Sequence, residues 1–232
     1  MPPALLLLHG LSANGGVWAE LEAFLEREWD GRWSAPDLPG HGAAGPLPSY
    51  SFASLAAAVT PDEPVVILGH SLGGVVGLEL ARGPSDVRGV VALGVKVAWT
   101  DDELSKAQAL AAKPPATFAS RDDAATRFLL VSGLTGLVGT DHPAVQRGIA
   151  SDGDGWRLAA DPATIGVGAP DMRALLDAAE APVVLARGEH DPLQTTAQLR
   201  ALDPNAVELT GLGHNAQVED PGAVWELVSP LL

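Results

Sequence analysis

The chain has 232 residues, 47% of them hydrophobic, and sets 14 Lys and Arg against 29 Asp and Glu, a formal charge of −15. That length suits one domain with ample core material, and so negative a surface repels phosphate backbones, which weighs against nucleic acid as a partner. There is no cysteine, so disulfides, a thiolate nucleophile and zinc–thiolate sites are excluded, and no run approaches the roughly 18 apolar residues of a membrane span.

In chain order, ALLLL (4–8) predicts a first strand, GVWAELEAFLERE (16–28) a helix and RWSAP (32–36) a second strand. The helical spacing of SYSFASLAAAVT (49–60), the apolar run PVVILG (64–69), the helical GGVVGLELAR (73–82) and the run GVVALGV (89–95) follow. Later come PVVLARG (182–188) and NAVELTG (205–211) as strands, alternating with TAQLRAL (196–202) and PGAVWELVSPLL (221–232) as helices. Strands without polar alternation, each followed by a helix, predict an α/β fold with a mostly parallel sheet of about six strands covered on both faces. The loops after the strand C-terminal ends then share one rim. From about 96 to 161 no strand is expected; DDELSKAQALAAK and RDDAATRFLLVSGL predict a small helical insertion over that rim, within a single 1–232 domain. The N-terminal PPALLLLHG has too short an apolar run, and no basic stretch, for a signal peptide, so the expected location is cytoplasmic.

Gly69-His70-Ser71-Leu72-Gly73 sits between a strand and a helix. Tiny residues on either side of a serine at such a junction suit a strained turn that lifts the hydroxyl onto the rim as a nucleophile; the alternative is a serine that merely caps the helix. A serine nucleophile needs a base. Of six histidines, His214 lies in the Gly-rich loop after the last strand and faces the same rim, whereas His9 and His41 read as satisfied locally. The acid that would orient His214 is Asp191 in GEHDP, with Glu189 as competitor; Pro192 turns the chain at Asp191. The backbone N–H groups of Leu72 and Leu11 are the candidate oxyanion donors. Ser12 is a candidate for a polar substrate group and Trp99 for the pocket wall. No HExxH motif or His/carboxylate cluster has metal-ligand spacing, so no metal and no cofactor are expected.

LLLLHGLSANGGVW, APDLPGHG, LGHSLGG, GEHDPL and GLGHNAQVEDP, in that order, resemble the motifs of the α/β-hydrolase superfamily, above all its small bacterial esterases, enol-lactonases and carbon–carbon bond hydrolases. The resemblance implies Ser71 as nucleophile, Asp191 as acid, His214 as base, Leu11 and Leu72 as oxyanion donors, and a lid at about 96–161. It implies a serine hydrolase acting on a small neutral ester or lactone. A perhydrolase or carbon–carbon hydrolase with the same triad, or a non-catalytic small-molecule receptor, are the alternatives. Two departures stand out: the HG strand begins almost at Met1, implying a smaller sheet, and Asn215 follows the histidine where the family often has a bulky residue.

Overall fold

The computed structural model describes residues 3–83 and 85–232. Its central sheet is built from β1 (Ala4–Leu8), β2 (Trp33–Ser34), β3 (Val65–His70), β4 (Val87–Leu93), β8 (Val183–Gly188) and β9 (Val207–Leu209). Their order is β2-β1-β3-β4-β8-β9, and every pairing is parallel. Both sheet edges are closed by the shortest strands, two residues in β2 and three in β9, which limits the unpaired backbone offered to another chain.

The apolar runs form strands because both faces are covered. All five residues of β1 and all six of β3 are buried. Alternate residues serve opposite faces: Leu5, Leu7, Val66 and Leu68 join one hydrophobic cluster, and Leu6, Leu8, Val65 and Ile67 the other. Each such buried Leu, Val or Ile stabilises the fold by about 1.5–3 kcal/mol before entropy is counted. The first face is covered by α1 (Ala19–Glu28), the 3₁₀ turn Gly15–Trp18, α9 (Ala216–Glu219) and α10 (Pro221–Val228). The second is covered by α2 (Phe52–Ala58), α3 (Leu72–Leu80), α7 (Met172–Ala178) and α8 (Thr196–Arg200). Among the described residues, no helix is long and apolar enough to cross a membrane.

The stretch 96–161 holds three helices, α4 (Asp101–Ala111), α5 (Arg121–Val131) and α6 (Pro143–Gly148). It also holds strands, which corrects the expectation of none. β5 (Thr117–Phe118), β6 (Ile149–Asp152) and β7 (Gly155–Leu158) form an antiparallel sheet in the order β5-β7-β6. A two-residue Gly153-Asp154 loop, with Gly153 at φ 58°, closes the β6–β7 hairpin. The strands are short and half-exposed, so no apolar run announces them.

The three helices differ in how they attach. α4 buries none of its residues. By contrast, Ala124, Ala125 and Phe128 of α5 and Ala144 and Val145 of α6 belong to the same cluster as Leu5, Leu7 and Trp18. Asn14 Nδ2 donates to Ala144 O at 2.8 Å, and Gly42 N donates to Ala159 O at 2.7 Å, tying α6 and the end of β7 to the central fold.

Candidate active site

β3 ends at His70 and α3 begins at Leu72, so the whole change of direction falls on Ser71. Its backbone has φ 51° and ψ −113°, a sparsely populated conformation that costs of order 1–3 kcal/mol and persists only where the surroundings enforce it. The glycines are required by close approach: a Cβ on Gly73 would run into the carbonyl oxygen of Leu8, and one on Gly69 into that of Gly73. The Ser71 side chain makes no capping hydrogen bond to α3. The loop after β1 passes beside it, since a Cβ on Gly10 would lie 3.3 Å from Ser71 Cβ. Neither Leu11 N nor Leu72 N donates to another described residue, so both N–H groups are available beside the serine.

The loop after β8 supplies the carboxylate. Asp191 is 3% exposed, and its Oδ2 lies 2.9 Å from His214 Nδ1. Because a carboxylate only accepts, a neutral His214 carries its proton on Nδ1 and leaves Nε2 free as a base. Asp191 Oδ1 accepts from Leu193 N at 2.9 Å, and Oδ2 also accepts from Gln194 Nε2 at 2.8 Å. Burial would raise the Asp191 pKa, but the hydrogen bond and charge of His214 and the Leu193 N–H outweigh it and hold the carboxyl below its usual range. Arg187, buried on β8, donates to the backbone oxygens of Glu189 and Asp191 and pairs with Glu208. Glu189 is exposed, accepts from Gly211 N at 2.8 Å and does not meet His214.

Ser71 and His214 line one cavity of about 650 Å³, with Gly10, Leu11, Trp99 and Leu130 among its walls. No hydrogen bond joins Ser71 Oγ to His214 in this structure; the two are united by the cavity they share. On the other side of Ser71, a smaller cavity of about 70 Å³ is walled by Phe52, Leu72, Val75, Ile165 and Val167, with Leu11 and Trp99 common to both. Ser12, at φ 61°, lines a third cavity beside Phe118 and Arg127. Lys96 sits with its ammonium 4.5 Å from the Trp99 ring centroid and pairs with Glu103.

Two residues of this region act in ways their sequence positions conceal. His70 Nε2 donates to the backbone oxygen of His214 at 2.9 Å, and the two rings stand 4.6 Å apart. Burial first, then the neighbouring His214, lowers the His70 pKa to about 3, so it stays neutral. Asn215 Nδ2 donates to Ser132 O and Gly133 O at 3.3 and 3.1 Å, fastening the histidine loop to the end of α5. Of the other histidines, His9 is satisfied by Gly10 O and Leu38 N, while buried His41 bonds Pro39 O through Nδ1 only.

Comparison with known proteins bears on the fold and the family. The chain is 32% identical over 199 residues to a pimeloyl-(acyl-carrier protein) methyl ester esterase of Neisseria meningitidis serogroup B, covering 81% of this chain and 74% of that protein. It is 41% identical over 100 residues to the serogroup A protein of the same name, covering 42% of this chain but only 31% of that one. Among solved structures, E-2-(acetamidomethylene)succinate hydrolase superposes with a TM-score of 0.80 at 22% identity, over 99% of this chain and 91% of that one, a likeness of fold. The model of the alpha/beta hydrolase family matches residues 5–227. The chain therefore belongs to the alpha/beta hydrolase family, whose fold is associated with carboxylic ester hydrolase activity.

Proposed function

We propose that this protein is a serine hydrolase that cleaves a small neutral ester or lactone through an acyl-enzyme. Ser71 is the nucleophile: as Oγ attacks the carbonyl carbon, its proton passes to His214 Nε2. The Leu11 and Leu72 N–H groups receive the oxyanion. His214 then protonates the departing alkoxide, and water repeats the sequence to release the acid. Asp191 fixes the imidazole tautomer and stabilises the imidazolium. The observation that carries this reading is the 2.9 Å contact between His214 Nδ1 and buried Asp191, on the rim where Ser71 is held strained and uncapped. Intact-protein mass spectrometry after a fluorophosphonate probe should give a single adduct, on Ser71, and Ser71→Ala should give none. Labelling elsewhere, or unchanged turnover by Ser71→Ala, would overturn it.

The two cavities support unequal arms on the substrate, with the insertion 96–161 serving as lid. The smaller one has roughly a tenth of the volume of the larger, which His214 lines, and suits a short alkyl group. With a bulky 4-nitrophenyl group in the larger cavity, the acyl chain falls to the smaller. The butyrate ester should then be turned over at least about tenfold faster than the dodecanoate, since each methylene without room forfeits binding. Preference for the long chain, with activation at a lipid interface, would refute this assignment.

A further inference from the structure

Gln194 lies in the loop between β8 and α8 and is 3% exposed. Its Nε2 donates at 2.8 Å to Asp191 Oδ2, the oxygen that faces His214 Nδ1 at 2.9 Å. The other half of the same amide works against stability: Gln194 Oε1 is buried and accepts from no described residue. An amide oxygen stripped of water with no donor destabilises the fold, and an apolar side chain of similar length would remove that penalty. Leu193 N already serves the other carboxylate oxygen, and Arg187 already fixes the backbone of Asp191. What the glutamine adds is one donor on the oxygen that His214 uses.

We infer that Gln194 is a positioning residue for the acid–base pair, aiming Asp191 Oδ2 at His214 Nδ1 and drawing off part of that oxygen's basicity. The inference rests on the triad reading above. A carboxylate oxygen with one donor fewer is a stronger acceptor. It favours the imidazolium over the imidazole, so the base would be lost at a higher pH without Gln194. Other charged or titratable groups face the pair and remain unchanged by the substitution: His70 at the end of β3, Lys96 after β4, Arg187 on β8, and Glu219 on α9, which holds Gly213 N at 2.9 Å.

The test is Gln194→Met, which keeps length and flexibility while removing both the donor and the orphaned oxygen. The acid limb of kcat/KM should move to higher pH by about 0.5 unit or more, and kcat on the alkaline plateau should fall about threefold to tenfold with KM unchanged. The midpoint of thermal unfolding should hold or rise. Gln194→Glu, which keeps the shape and brings a second carboxylate to Asp191, should move the acid limb further in the same direction. NMR titration of His214 reads the same displacement without any substrate, so it stands even if the esterase reading fails. An acid limb and a His214 titration that coincide with the parent protein's in both variants would overturn the role.

Discussion

Replacing Asp191 by asparagine should lower kcat/KM by about 10³–10⁴-fold, given that the same exchange in serine proteases costs about 10⁴-fold. Three donors converge on this carboxyl group: Leu193 N on one oxygen, Gln194 Nε2 and His214 Nδ1 on the other. An amide has only one oxygen. Turned with its NH₂ toward His214, it forces the proton onto Nε2 and removes the base. Turned the other way, it sets the NH₂ against the Leu193 N–H in a buried site. Either outcome is damaging, and the first abolishes the proposed proton transfer. Glu189→Gln provides the contrast, because that exposed carboxylate only accepts from Gly211 N; its loss should cost at most about tenfold through screened electrostatics. Steady-state kinetics on the two folded variants decides. A crippled Glu189→Gln beside a near-normal Asp191→Asn would transfer the role of acid to Glu189.

Acid should destabilise the protein steeply, the loss beginning near the ordinary histidine value of about 6.5, well above the carboxylate range. Burial, then neighbouring His41, lowers the His9 pKa to about 3, and burial, then His214, does the same for His70. Both would titrate near 6.5 when unfolded. A folded-state value below the unfolded one means that the unfolded chain takes up the proton first. The contribution of these residues is therefore complete above about pH 6.5 and is lost as pH falls toward 3. Each proton gives a slope of about 1.4 kcal/mol per pH unit, so the pair gives about 3. His41, also lowered by burial, acts in the same direction. Against a typical stability of 5–15 kcal/mol, this places cooperative unfolding between about pH 3 and 4.5. Urea unfolding at pH 7, 6 and 5 would show it, and His70→Asn should reduce the slope by about one proton. A free energy that stays flat from pH 7 to 5 would contradict it.

How much of this was readable from the sequence depended on whether the physical signal was local. The turn at Ser71 was legible because its causes are adjacent in the chain: an apolar strand, glycines where Leu8 and Gly73 leave no space, then a helix. Asp191 and His214 were legible for a similar reason, each following an apolar strand in a loop marked by Gly or Pro. Partners set by tertiary packing left no such mark. His70 meets His214 across 144 residues and Asn215 meets Ser132 across 83, so neither contact has a sequence signature. Gln194 is close to Asp191 in the chain, but a polar residue in a loop reads as solvated until its burial is known. Ser12 adjoins Leu11, yet its positive φ gives it a different cavity wall from that of Ser71. The strands of the insertion leave no mark either, because four-residue hairpin arms with one buried position carry too little periodicity to register.

The attachment of the insertion bears on how this enzyme could be re-engineered. Exchanging residues 96–161 wholesale for those of a relative would strip Phe128, Ala124, Ala144 and Val145 from the cluster that covers Leu5, Leu7 and Trp18. Such a chimaera would lose part of the scaffold along with walls of the cavities beside Ser71. α4 carries no such duty, since none of its residues is buried. Grafting is therefore best confined to 98–112, where Trp99 borders both cavities beside Ser71 and the donor's sequence would have to match only the turn at Gly166, against which Gln108 and Ala111 sit.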